Sequence, residues 1–190
     1  MSPAASKEKP ASGGLSLRDA IREKHDAAEA HPLSKLIMSG KISREVYADL
    51  LASQMAVVSW LERLADEVGL LEGLDGLRRT EAMLADLNEL GCGSPCLFAT
   101  AHAVHLNKLD RKGLLAHMYV MHMGDLFGGQ IMKKLLPGSC RRYEFENRTE
   151  LVHAMRALLT DDLADEANIA FEYVLGIFDA IAEEHNIRDS

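Results

Sequence analysis

The stretch that decides the fold is Ala116–Gln130, AHMYVMHMGDLFGGQ, which has the composition of a helix yet contains three glycines and an aspartate. An interior glycine costs about 1 kcal/mol relative to alanine, so three glycines should not persist unless a bare backbone is needed. Gly124 and Gly128 are four residues apart and share a helix face with Met121 and His117, and Asp125 lies beside that face. This arrangement suits a planar cofactor with one polar group next to it.

The composition of the whole chain favours a single helical domain. It has 190 residues, 47% hydrophobic but only 5% aromatic. The sequence contains neither an apolar run of about 20 residues, as a transmembrane helix requires, nor a signal-peptide core, so we expect a cytoplasmic protein. Three cysteines, an odd number, argue against a disulfide framework and fit a reducing compartment.

The formal net charge of −8 argues against general nucleic-acid affinity, which needs a basic stripe. Basic residues nevertheless occur in two clusters. A solvated surface is the simpler interpretation, and an anionic ligand edge or an acidic protein partner is the alternative. The clusters consist of Arg18, Arg22 and Lys24, and of Lys133, Lys134, Arg141 and Arg142.

Breaker residues divide the chain into a tail and seven predicted helices, with no strand and no internal repeat. Residues 1–14 lack apolar periodicity and are predicted to be a disordered tail, so the folded domain covers 15–190. Capping residues and glycine or proline stops set the helix limits. The predicted helices are Ser16–Ala30, Ser43–Val68, Leu77–Leu90, Cys96–Leu109, Asp110–Leu136, Thr149–Leu159 and Leu163–Asn186.

His25 is aligned with the predicted apolar stripe of the first helix, formed by Leu17, Ala20, Ile21 and Ala28. A lone inward-facing histidine is more often a satisfied core residue than a ligand. Glu29, one turn later, could orient the ring, and Arg18 and Arg22 precede it on neighbouring faces. Flanking cations that could meet carboxylates strengthen the case for a haem ligand.

Other combinations of metal-binding residue types are weaker. Cys92 and Cys96 with His102 and His105 resemble a zinc quartet, but their spacing matches no usual zinc site. We interpret them as loop cysteines beside surface histidines. A repeated Glu-x-x-His pattern, typical of di-iron bundles, is absent from the sequence.

Two motifs together resemble the haem oxygenase family. Leu115–Tyr119 followed by Gly124–Gln130 looks like the distal helix of those members that carry Gly-Asp-Leu-Ser-Gly-Gly, and Arg18-x6-His25-x3-Glu29 resembles the proximal helix. The similarity extends from about Leu15 to Phe178.

This resemblance implies an all-α, single-domain helical bundle with haem sandwiched between a proximal and a distal helix. It makes His25 the axial iron ligand, with Glu29 beside it, and Gly124 and Gly128 the wall against the porphyrin. Asp125 would anchor the waters that deliver protons. The haem propionates would be held by Arg18, Tyr119 and Arg156.

The implied reaction converts haem to biliverdin, carbon monoxide and ferrous iron, with haem as both cofactor and substrate and with dioxygen as oxidant. The chain has no flavin or nicotinamide motif, so the electrons would come from a ferredoxin or a flavoprotein reductase. Lys133 and Lys134 would face that donor. A biliverdin-accepting reductase is a further expected partner. We expect a monomer that binds neither nucleic acid nor membrane.

The chain departs from the family near the motif aspartate. Many relatives carry an arginine three residues before the first motif glycine and a tyrosine facing it, where this chain has Met121 and Val58. Phe127 replaces the motif serine. Since exchanging both polar partners for apolar ones can be nearly neutral, we predict a drier distal pocket in which Asp125 has no cationic helix partner.

Two other classes of function stay open. A haem carrier or sensor could keep the His25 pocket without turnover, and Asp125 separates the two because a carrier needs no proton relay. A thiamin-degrading or di-iron member of the same superfamily would need a catalytic cysteine or several metal-binding carboxylates in the pocket, and we identify neither in the sequence.

Overall fold

The computed structural model describes residues 15–188, and this range contains nine α-helices, three short 3₁₀ turns and no strand. The predicted all-α fold is therefore confirmed, whereas the predicted tail at 1–14 lies outside the described residues. The helices are α1 Leu17–Ala20, α2 Arg22–Ala30, α3 Pro32–Met38, α4 Arg44–Glu67, α5 Thr80–Leu90, α6 Leu97–Leu106, α7 Arg111–Leu135, α8 Arg148–Leu158 and α9 Ala164–Glu184. The 3₁₀ turns are Asp75–Leu77, Arg141–Tyr143 and Asp161–Leu163.

The two longest helices begin at the predicted capping residues. The hydroxyl of Ser43 accepts a hydrogen bond from the backbone N–H of Val46 at 3.2 Å, at the start of α4. A carboxylate oxygen of Asp110 accepts one from Gly113 N–H at 2.8 Å, at the start of α7. Each cap satisfies a donor that the first helical turn leaves free.

The N-terminal region differs from the single predicted helix. The helix is interrupted at Ile21, between α1 and α2, and Pro32 begins α3 instead of ending a helix. Proline is well accepted at the first helical position because its missing N–H has no partner there in any case. His31 caps α3, and its Nδ1 accepts from Leu33 N–H at 3.1 Å.

Helix α4 forms the centre of the core and packs against α5, α6, α7 and α9. Helix α7 also packs along α9, and α2 lies against α9 as well. Within residues 15–188, none of the helices is both long and apolar enough to cross a membrane. Cys92, Cys96 and Cys140 are all free thiols.

Candidate functional site

His25 lies on α2 with its ring at the surface, so the predicted inward position was wrong. Its side chain is 52% exposed, and α2 buries none of its residues. Helix α2, which begins after the interruption at Ile21, does not continue the buried face of α1. The ring packs edge-on against Phe171 of α9, with centroids 6.0 Å apart. A half-exposed imidazole held from one side can still reach a ligand on the other.

The ring nitrogens of His25 face carboxylates without forming a hydrogen bond. Nε2 lies 3.8 Å from Glu29 Oε1, and Nδ1 lies 3.7 Å from Asp26 Oδ1. Both distances exceed the hydrogen-bond range. The structure thus places Glu29 beside His25 as expected, but no hydrogen bond from Glu29 orients the ring. Either ring nitrogen is available to coordinate a metal.

The glycines of α7 divide into two kinds. A Cβ built on Gly124 or Gly128 would meet no other heavy atom within 4 Å, so the backbone here borders open space. At Gly129, in contrast, a Cβ would lie 2.9 Å from Tyr143 Cδ1, which is closer than normal packing allows. Two glycines therefore form a bare strip that a flat molecule could approach, and the third admits a neighbouring segment of the protein.

Three predicted anion-binding residues come from different elements and act on one another. Arg18 belongs to α1, Tyr119 to α7 and Arg156 to α8. Burial raises the pKa of the Tyr119 phenol, and the positive charges of Arg18 and Arg156 oppose this shift. The Arg156 guanidinium also lies 5.2 Å from the ring centroid of Phe127, and Phe127 belongs to α7, the helix that carries the bare strip. These cations lie where they could meet the acidic edge of a ligand.

Asp125 has a cationic partner that sequence reasoning missed. Nη2 of Arg142, in the turn after α7, donates to Asp125 Oδ2 at 2.7 Å, and the arginine side chain is only 3% exposed. Burial raises the pKa of the Asp125 carboxyl, and the adjacent guanidinium opposes that shift. The ion pair thus favours the charged carboxylate, in opposition to burial.

Further polar side chains lie around the ion pair of Asp125 and Arg142, and the predicted dry pocket stays a prediction. Met121 and Val58 are buried and apolar, as the sequence requires. However, Nη1 of Arg142 donates to Gln54 Oε1. Burial lowers the pKa of the His122 ring to about 3, and the positive charge of the nearby Arg142 acts in the same direction. Polar side chains therefore lie near Asp125 even though Val58 and Met121 are apolar.

A second cluster of histidines corrects the interpretation of His102, His105 and His117. His102 Nε2 lies 2.7 Å from His117 Nδ1, and both rings are fully buried. His117 Nε2 and His105 Nε2 lie 2.9 Å and 2.7 Å from the same oxygen of Glu166. The three ligand atoms of His105, His117 and Glu166 are within 4.8 Å of one another, but these hydrogen bonds already satisfy them. His102 is therefore a core residue, and His117 does not line the bare strip.

The basic clusters are partly neutralised. Arg22 pairs with Asp19, and Lys133 pairs with Glu144. Lys134 is exposed and forms no ion pair within residues 15–188. Of the two lysines expected to face a redox partner, only Lys134 thus offers an unpaired charge.

One protein family matches most of this chain. The profile of the family described as "Heme oxygenase" matches residues 14–180. Heme oxygenase 2 of Rattus norvegicus is 25% identical over 198 residues, which is 85% of this chain and 63% of the rat protein. The chain thus spans less than two thirds of the rat protein. The heme oxygenase of Rhodella violacea is 24% identical, over 86% of this chain and 84% of the algal protein.

Solved structures show the same fold. Heme oxygenase-1 from Synechocystis sp. PCC6803, a complex with heme, has a TM-score of 0.76 at 22% identity and covers 90% of this chain and 94% of its own. Heme oxygenase from Leptospira interrogans has a TM-score of 0.75 at 26% identity, over 85% of this chain and 96% of its own.

Proposed function

Because the chain belongs to the haem oxygenase family, we propose that it degrades haem to biliverdin, carbon monoxide and ferrous iron, using dioxygen and electrons from another protein. The observation that carries this proposal is the bare strip at Gly124 and Gly128, and the unbonded ring of His25 is a second, separate observation that supports it. When bound, haem supplies the redox-active iron and is itself the molecule that is oxidised.

We assign the iron to His25. A neutral imidazole is a common axial ligand of haem iron, and the ring of His25 is about half exposed and forms no hydrogen bond with residues 15–188. Its contact with Phe171 limits the rotation of the ring. The remaining exposed half of the side chain is therefore the half that meets the ligand.

The bare strip is assigned to the opposite face of the haem. A side chain at Gly124 or Gly128 would project into the open space, so the two glycines let a flat ring approach the backbone of α7. Arg18, Tyr119 and Arg156 would bind the propionates, since a guanidinium pairs well with a carboxylate and a phenol can donate to one.

Asp125 holds water and passes protons beside the strip. A charged carboxylate accepts hydrogen bonds from several waters, and its ion pair with Arg142 fixes where those waters sit. Protonation at the reacting oxygen is the step that a positioned acid or water accelerates, by about 10²–10⁴-fold in typical enzymes. A carrier would gain nothing from such a group.

Electron supply is assigned to an acidic partner such as a ferredoxin, or to a flavoprotein reductase. The exposed, unpaired cation of Lys134 and the cations at the proposed propionate edge support a docking face near the haem. A biliverdin-accepting reductase would then take the product. We place the activity in the cytoplasm and in a monomer.

The test is to titrate the purified protein with hemin and record the absorption spectrum, then add ascorbate or a reductase system under air. The proposal predicts a histidine-type haem spectrum that gives way to that of biliverdin. If the spectrum of bound haem stays unchanged under reductant and air, the protein is a haem carrier or sensor. If hemin does not bind, both functions are excluded.

A further inference from the structure

The turn that carries Arg142 is fixed to the rest of the protein from two sides. The buried carboxylate of Asp86, on α5, accepts the backbone N–H groups of Arg141 and Arg142 at 2.8 and 2.9 Å. On the other side, Tyr143 packs onto α7 at Gly129, where any side chain would collide with it. The backbone of Arg142 is therefore placed independently of Asp125.

The side chain of Arg142 joins two helices. One terminal nitrogen donates to Asp125 on α7, and the other donates to Gln54 on α4. A buried guanidinium is tolerated only when its charge and donors are satisfied. The hydrogen bond to Gln54 fixes the plane of the Arg142 guanidinium, whose two terminal nitrogens form a fork. The carboxylate of Asp125 must lie in that plane to accept from the second nitrogen, so it has one favourable position.

Unpartnered polar atoms lie in the same region. Within residues 15–188, neither ring nitrogen of the buried His122 has a hydrogen-bond partner, and the same holds for Nε of Arg79 and Nε of Arg142. Arg79 and Arg142 are both close enough to His122 for their charges to act on it. Because buried polar atoms are generally paired with protein or with ordered water, these atoms indicate internal water sites.

We propose that Arg142 is the positioning residue of Asp125, and that His122 binds ordered water on the inner side of α7, behind that carboxylate. The inference rests on the proposed function for its catalytic consequence, though not for the geometry itself. It assigns control of the distal carboxylate to a turn 17 residues further along the chain. Water for protonation would be stored on the protein side of the helix.

The experiment compares Arg142→Met with Arg141→Met, its sequence neighbour, whose exposed side chain pairs with Glu89 and with Asp86. The Arg141 variant keeps the backbone bonds from Asp86 to the turn and the ion pair of Arg142 with Asp125, so it controls for loss of a cation in the turn. Removing the Arg142 charge should raise the pH midpoint of Asp125 by about 1–3 units, read by carbon NMR in the haem-free protein. Arg141→Met should leave it unchanged. Arg142→Lys should recover part of the shift because it keeps a charge but not the fork.

The haem-loaded protein provides the second measurement. Arg142→Met should bind hemin as the parent does, but its yield of biliverdin per haem should fall by about 10-fold or more, with hydrogen peroxide released instead. Equal yields and equal Asp125 midpoints in the two arginine variants would overturn the inference. If Arg142→Met does not fold, Gln54→Leu removes the second hydrogen bond of the fork and should lower the yield in the same direction.

The two proposals fail in different ways. If the parent protein makes no biliverdin while the Asp125 midpoint still moves in Arg142→Met, the proposed function is wrong and the positioning role stands. If the parent makes biliverdin and Arg142→Met does so equally well, only the inference is wrong. Exchange of His122 for Phe should remove the internal water signals in a high-resolution structure; unchanged water positions contradict the water-binding role.

Discussion

His25 and Phe171 meet edge to face, with ring centroids 6.0 Å apart and an angle of 74° between the rings. This contact joins the proposed proximal ligand to the last helix, while the ring nitrogens stay free of hydrogen bonds. Replacement of His25 by Ala should therefore abolish the histidine-type haem spectrum and turnover without unfolding the protein. Added imidazole should restore activity. His153→Ala, at an exposed position of α8, is the matched control, and an unchanged spectrum in His25→Ala would rule out the ligand assignment.

Asp125 should govern the fate of dioxygen rather than the affinity for haem. Asp125→Asn keeps a hydrogen-bonding group beside Arg142 and should bind hemin normally, but release peroxide in place of biliverdin. Asp125→Ala should also lose stability, up to about 3–5 kcal/mol, because it leaves a buried guanidinium unpaired. Urea unfolding and product chromatography measure the two effects. A normal biliverdin yield from Asp125→Asn would place the proton path elsewhere.

The glycines of α7 should respond to alanine in opposite ways. Gly128→Ala meets only open space, so it should raise the free energy of unfolding of the haem-free protein by about 1 kcal/mol while weakening hemin binding. Gly129→Ala should destabilise the protein because its Cβ collides with Tyr143. Thermal unfolding and hemin titration of both variants check this contrast. Tight hemin binding by Gly128→Ala would show that haem does not approach the strip.

The affinity of an acidic electron donor for this protein should depend on the charge of Lys134. Reversal of its charge in Lys134→Glu should raise the KM for an acidic donor and reduce the salt dependence of turnover. Lys112→Glu is the control, because Lys112 already pairs with Asp162 at the opposite end of α7. Turnover supported by ascorbate should be the same in both variants. An equal effect of the two substitutions would mean that the docking face is elsewhere.

Stability should fall as the pH drops below about 6.5, because His102 is buried neutral. Burial, together with the charges of His117 and His105, lowers the pKa of His102 from 6.5 to about 3. Between pH 6.5 and about 3, His102 is therefore protonated in the unfolded chain but neutral in the folded chain. The loss is at most about 1.4 kcal/mol per pH unit for one such group. Urea titrations at pH 7.5 and 5 should show a smaller pH effect in His102→Phe than in the parent. His153→Gln, at an exposed site, should not change it.

The sequence predicted most helices because their determinants are local. Ser43 and Asp110 cap α4 and α7 through bonds that span three residues. The separate helix α3 was missed because Pro32 can both end and begin a helix, and only the surrounding packing decides which. His25 was placed in the core because the periodicity of the first helix was extended across the break at Ile21.

The candidate site was predictable in its motif residues but not in their partners. Gly124, Gly128 and Asp125 are contiguous in one motif, whereas the contact of Asp125 with Arg142 depends on how the chain turns after α7. No periodic pattern links those positions. The same holds for Glu166, which reaches His117 from a helix 49 residues away. Such contacts require the tertiary structure.

The most direct test of the central claim is the product balance of a single turnover. Equimolar hemin and protein would be reduced under air with a ferredoxin system, and biliverdin and carbon monoxide would be quantified by chromatography and gas analysis. The account predicts that both products appear in equal amounts and match the haem lost, and that Asp125→Asn gives far less of each. Loss of haem without biliverdin or carbon monoxide, or retention of intact haem, would contradict it.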